Sequence, residues 1–339
     1  MSSSGNGRRS GSKKKKKGRL RYDRVIAVLV LFIVLIVIMV SCIGSCADKK
    51  NGESSGSNSS ESSENSSAES SDESTPENSD GSSQGAENAN FKTENIEYSD
   101  MNKGDLILVN SSYEYKFTEE LNIVDVYSTR NDCYTVRDMN VLLENNVISQ
   151  LNALMEAYST ANNNKDIRVI EGYLSKEEQD EKFAGKKSNV AGGYSDFNTA
   201  RTFELASFPE NGSSYYLLNE GVYSWIYSNA QNYGFILRYP MGKDSVTGVS
   251  SSTYTFRYVG VPHAIYISQN NITLEEYIEA LKSYNKDNPL KITDGSKNYD
   301  VYYVQANANN VTEVPVPNDK TYSISGNNVD GFIVTVTLN

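Results

Sequence analysis

The sequence predicts an α+β fold: a small antiparallel sheet with packed helices, followed by a short all-β C-terminal segment. Three observations predict it. Apolar residues recur at helical spacing between Val136 and Tyr158. Two later helix starts carry capping boxes, Ser175-Lys176-Glu177-Glu178 and Thr273-Leu274-Glu275-Glu276. Beyond Pro289 the chain turns strand-like, with Pro315, Pro317 and Gly326-Asn327-Asn328 between the strands.

Taken in order, structure is expected to begin near Phe91. Leu106-Ile107-Leu108-Val109 reads as a buried strand. The amphipathic pattern from Val136 to Tyr158 predicts one long helix, with Met139, Leu142, Leu143, Val147, Leu151, Leu154 and Met155 on its apolar face. Ile167 to Ile170 reads as a short strand. Val222 to Tyr233 reads as a helix ended by Gly234, with the strand Phe235-Ile236-Leu237 behind it. Thr255 to Val259 and Ala264 to Ile267 read as strands, and the second capping box opens a helix to about Tyr284. Tyr299 to Val304, Thr321 to Ile324 and Phe332 to Leu338 read as the C-terminal strands.

The N-terminal part is of another kind. The formal net charge of -11 hides a split: residues 1–24 hold ten Lys or Arg against one acid, so the tail carries +9 and the remainder -20. Val25 to Val40 is an unbroken apolar run, extended by Ser41, Cys42 and Ile43. Nineteen residues at helical rise reach about 28 Å, close to the ~30 Å hydrocarbon core. Basic residues before the span place the N-terminus in the cytoplasm and the rest outside. The string Ile43-Gly44-Ser45-Cys46 also admits a lipoprotein signal; either way the outer part is anchored. Between Asn51 and Asn90 there are acids but no Lys or Arg and almost no apolar residue, which predicts a disordered linker. The expected organisation is a basic tail (1–24), a transmembrane helix (25–43), a linker (44–90), a main domain (91–290) and a C-terminal β segment (291–339). The basic run abuts the span, so a membrane role is expected for it and no nucleic-acid partner.

Several strings carry a resemblance. They are Tyr233-Gly234-Phe235-Ile236-Leu237-Arg238-Tyr239-Pro240 after a helix holding Trp225, Gly242-Lys243, Thr247-Gly248, Phe256-Arg257-Tyr258-Val259-Gly260, and His263-Ala264. Gly172-Tyr173-Leu174-Ser175 and Gly193 to Glu204 join them upstream. Together they resemble the VanY-like zinc D-Ala-D-Ala carboxypeptidases, over about residues 100–285. The resemblance implies the fold of those enzymes and peptidoglycan stem peptides or an envelope protein as partners.

It also implies a zinc site, and here the chain departs from the family. The first ligand histidine, in the SEH string, falls on Phe197, and the ligand aspartate falls on Glu204. The Glu-Pro-Trp-His string falls on Ser252-Thr253-Tyr254-Thr255, so Thr255 stands for the second histidine and Ser252 for the general base. The arginine of SGYRS, which pairs with the substrate carboxylate, falls on Leu174. A catalytic zinc needs about three protein ligands and an open water position. The chain has one histidine, His263, so the family's site cannot be assembled. The expectation is therefore no metal, no cofactor and no catalytic residue, with Leu174, Phe197, Glu204, Ser252, Tyr254, Thr255 and Arg257 as candidates for the altered pocket. The function expected is that of a binding module for cell wall or protein. The alternative is an active carboxypeptidase with a displaced site. Cys133, the lone cysteine beyond the membrane edge, supports neither a disulfide nor a zinc site.

Overall fold

In the computed structural model, which describes residues 90–210 and 212–338, the chain begins with β1 (Phe91–Ile96), β2 (Ile123–Asp125) and the one-turn helix α1 (Val126–Thr129). β3 (Thr135–Val136) and β4 (Leu142–Glu144) lead into the long helix α2 (Asn145–Asn162). Next come β5 (Ile167–Glu171), α3 (Lys176–Ala184), β6 (Thr202–Ser207), β7 (Tyr215–Tyr216), α4 (Ser224–Asn229), β8 (Phe235–Tyr239), α5 (Asp244–Thr247) and β9 (Ser252–Tyr258). Two helices, α6 (Val261–Asn270) and α7 (Leu274–Leu281), precede the C-terminal strands β10 (Leu290–Thr293), β11 (Asn298–Gln305), β12 (Thr312–Pro317), β13 (Tyr322–Gly326) and β14 (Gly331–Thr337). The tail, span and linker expected over residues 1–89 lie outside the described residues. Among the described residues no helix is long and apolar enough to cross a membrane.

The central sheet runs β3-β5-β6-β9-β8, with β7 added to β6; all pairings are antiparallel except β3 with β5. Helix α2 lays Val147, Ile148, Leu151, Leu154, Met155 and Tyr158 against Phe203, Leu205, Phe235 and Phe256 of this sheet. A second core joins α6 and α7 to Leu290, Ile292, Tyr299, Val301 and Ile333 of the C-terminal sheet β10-β11-β14-β13. The opposite face of that sheet meets Val314 and Val316 of β12, which pairs with β1. Successive residues of β14 point to opposite faces. Thus Ile333 enters the α6/α7 core while Phe332, Val334 and Val336 enter the other.

Three expectations are corrected. Leu106–Val109 is buried but is not a strand. Its backbone groups are met by side chains and a loop: Arg257 donates to Asp105 O and Ile107 O, Arg238 to Val109 O, and Asn328 to Leu108 O. A buried backbone needs partners, and these replace a ladder. The long helix starts at Asn145, not Val136, because Glu144 caps it by accepting from Asn146 N and Val147 N at 3.0 and 3.3 Å. Leu142 and Leu143 belong to a strand, and Met139 is exposed. Ala264–Ile267 lies inside α6. Gly260 (φ 86°) turns the chain and Pro262 opens the helix, where its missing N–H costs nothing.

Candidate functional site

Six of the seven pocket candidates converge. Leu174, Phe197, Glu204, Ser252, Tyr254 and Thr255 line one cleft of about 460 Å³, together with Glu171, Lys182 and Tyr216. Strand register explains how. Glu204 on β6 faces Glu171 of β5 on one side and Thr255 of β9 on the other. Leu174 follows β5, and its N–H donates to Phe197 O at 3.4 Å. Asn198 clamps the same turn, donating to Leu174 O at 2.6 Å while accepting from Gly193 N at 3.0 Å.

Chemically the cleft is not a metal cage. Phe197 offers a ring with no donor atom. Ser252 Oγ and Thr255 Oγ1 lie 2.7 Å apart and hydrogen-bond each other. Glu204 is the one carboxylate left among the positions that match the family's ligands. Among the described residues no three His, Cys, Asp or Glu side chains gather as a metal site. The residues present therefore do not fit the zinc that the resemblance implies.

Glu204 is the most perturbed acid in the cleft. Burial raises its pKa to about 7, helped by the neighbouring Glu171 and opposed by Lys182 and Arg137. Glu171 is itself ion-paired with Lys182 and lies 3.7 Å from Arg137. At the mouth, Tyr216 stacks on Tyr254 with ring centroids 4.0 Å apart, and Tyr216 is 53% exposed.

Arg257, the seventh candidate, does not line the cleft. It is fully buried and its Nη1 lies 2.7 Å from Asp196 Oδ1. Asp196 is also fully buried; Arg238 Nε sits 3.3 Å from its Oδ2 and Thr202 Oγ1 donates to it at 2.6 Å. Burial alone would raise the Asp196 pKa, but Arg257 and Arg238 outweigh it and hold the carboxyl below its usual value. Arg238 extends the chain by a bidentate pair with Glu275 on α7. The arginines are thus scaffold charges, and Asp196 is the residue that sequence reasoning missed. The available signal was two arginines set among the apolar and aromatic residues Phe235-Ile236-Leu237-Arg238-Tyr239 and Phe256-Arg257-Tyr258, each requiring a buried counter-ion.

His263 is placed away from the cleft. Its Nδ1 lies 2.7 Å from Tyr277 Oη and its Nε2 3.0 Å from Thr335 Oγ1, so it joins α6, α7 and β14. Burial lowers its pKa to about 4. Cys133 is a free, half-buried thiol beside the first core.

Comparison with known proteins agrees with this geometry. The family described as VanY, D-alanyl-D-alanine carboxypeptidase, matches residues 140–261. A D-alanyl-D-alanine carboxypeptidase of Enterococcus faecium is 29% identical over 259 residues, which are 74% of this chain and 80% of that protein. The bifunctional D-Ala-D-Ala dipeptidase and D-Ala-D-Ala carboxypeptidase VanXYC of Enterococcus gallinarum is 29% identical over 157 residues, 42% of this chain and 81% of its own. The crystal structure of the vancomycin-resistance D,D-dipeptidase VanXYg, solved with a D-Ala-D-Ala phosphinate analogue, superposes with a TM-score of 0.64 at 28% identity. That likeness covers 73% of this chain and 99% of the other. Sheet, helices and the cleft-bearing motif positions thus agree with sequence similarity: the chain is similar to the VanY-like D-alanyl-D-alanine carboxypeptidases, and residues 140–261 carry the family match.

Proposed function

We propose that this chain is a membrane-anchored, extracytoplasmic member of its family that binds peptidoglycan stem peptide, or a protein bearing similar groups, without cleaving it. The observation that carries the proposal is the cleft itself. It is open, it sits at the family's motif positions, and the four positions that match the family's metal ligands and base hold one carboxylate, two hydroxyls and a phenyl ring without a donor atom. Hydrolysis of this kind needs a metal to bring a water's pKa near 7 and a base to take its proton. Ser252 and Thr255 supply neither. Relatives that act on D-Ala-D-Ala peptides support the ligand class. The basic tail and the apolar run of residues 25–43 support the anchor.

The second reading is an active D-Ala-D-Ala carboxypeptidase with a displaced site. It is favoured by the similarity over 259 residues to a carboxypeptidase and by the raised pKa of Glu204, a property common at catalytic acids. One experiment separates the two. The full-length chain, purified in detergent and incubated with zinc, is assayed for bound metal and for release of D-Ala from a D-Ala-D-Ala-terminated peptide. The binding reading expects saturable peptide binding with no stoichiometric zinc and no release. Chelator-sensitive release of D-Ala would overturn it.

A further inference from the structure

The cleft contains an imbalance. Glu204 lines the cleft and, among the described residues, makes no hydrogen bond and no ion pair, although its neighbours are committed. Glu171 is held by Lys182, with Arg137 at 3.7 Å. Ser252 and Thr255 satisfy each other. A half-buried carboxylate with no partner is costly, which is why burial raises its pKa, and a cation entering from the open side would favour its charged form. Next to Glu204 across the sheet is Thr255, and beside Thr255 is Tyr254, whose ring is stacked under the exposed Tyr216.

We infer that the cleft recognises an ammonium group on its ligand, with the Glu204 carboxylate as the ion-pair partner and the Tyr216–Tyr254 stack as the aromatic wall. The inference rests on the binding reading above and names the group that is read. An ammonium suits both components. It forms short charge-assisted hydrogen bonds to a carboxylate, and it is attracted to the faces of aromatic rings. An anionic group would meet Glu204 and Glu171 and would find Lys182 already engaged; Lys187, the other lining cation, lies exposed. A neutral ligand would give Glu204 no ion pair to offset the burial that disfavours its charged form. The ligand class is therefore a peptide carrying a free primary amine.

Two N-terminally blocked peptides ending in D-Ala-D-Ala test this, identical except that the single lysine side-chain amine, the one primary amine left, is acetylated in one of them. Each is titrated calorimetrically into the full-length chain in detergent. The free-amine peptide is expected to bind about tenfold or more tightly than its acetylated twin. Glu204→Gln is expected to lose a similar factor for the free-amine peptide and nothing for the acetylated one. Tyr216→Ala, at an exposed site, is expected to weaken the free-amine peptide alone. Equal affinity for the two peptides overturns the ammonium inference and leaves the binding reading standing. Binding of neither peptide overturns both. Because acetylation changes the ligand and not the protein, the result does not depend on any variant folding.

Discussion

At the scale of single residues, the chain separates charges that hold the fold from groups that face the ligand. His263 belongs to the first kind. Its folded pKa is depressed from 6.5 to about 4 by burial. Folding thus favours the neutral ring, and its contribution is fully present above pH 6.5 and lost as pH falls toward 4. The loss is on the order of 3 kcal/mol across that window. Denaturant titrations at successive pH values should show wild type weakening relative to His263→Gln as pH drops from 6.5 to 4; parallel profiles would remove the effect. Glu204 has the opposite sign, because its folded pKa is raised from 4.5 to about 7. Wild type should lose stability relative to Glu204→Gln as pH rises from 4.5 through 7. Asp196 is a third case: two arginines depend on it. Replacing it by Asn should cost about 3–5 kcal/mol in urea denaturation, since buried guanidinium charges are left uncompensated. Arg238 and Arg257 could be read from sequence as internal scaffold charges, because each sits between apolar or aromatic residues of a strand. The counter-ion was hidden, since Asp196 opens a 3-10 turn (Asp196–Thr199) remote from both in sequence. The convergence of Leu174, Phe197, Glu204, Ser252, Tyr254 and Thr255 was legible through the family motifs onto which these positions fall; the Tyr216 platform was not, because stacking depends on strand pairing.

At the scale of elements, local chemistry was legible where it is self-contained. Both capping boxes form as written: Ser175 and Glu178 on α3, and Thr273 and Glu276 on α7. Gly234 ends the 3-10 turn Ala230–Tyr233, which follows α4, in the left-handed region at φ 84°. What failed was decided by distant partners. The run Leu106–Val109 has strand composition, yet its partners are arginine and asparagine side chains from residues 238, 257 and 328. β12 contains Pro315 and Pro317, which argue against a strand. It forms because it pairs only with β1, and an edge tolerates residues without an N–H. α6 was hidden by its β-branched and aromatic content. Its start depends on Gly260, held at φ 86° and ψ 150°. A Cβ there would have room, the nearest atom being His263 Cδ2 at 3.5 Å, so substitution meets backbone strain and not a clash. Gly260→Ala should therefore destabilise by about 1–3 kcal/mol. Thermal unfolding checks this; an unchanged midpoint would show that the turn relaxes freely.

At the scale of the whole molecule, the C-terminal strands are structurally joined to the cleft-bearing part. β12 supplies the pairing partner of β1, at the other end of the described chain. Asn327 O accepts from Leu108 N, and Asn328 donates to Leu108 O and Glu114 O. Arg238 and Arg257, the partners of Asp196, also donate to backbone carbonyls of the same 105–109 segment. β11 and β14 also cover the α6/α7 core, where Thr335 meets His263. A chain ending at residue 290 would lose those contacts together, exposing Leu274, Tyr277, Ile278 and Leu281 and unpairing β1. Cooperative domains lose such interdependent layers as a unit. The truncated chain should lack a single sharp denaturation transition when followed by the fluorescence of Trp225, which packs against the first core and far in sequence from the deletion. If the deletion left the Trp225 transition at its original midpoint and steepness, the strands would be an appendage, and a docking role for them could then be considered separately from the fold.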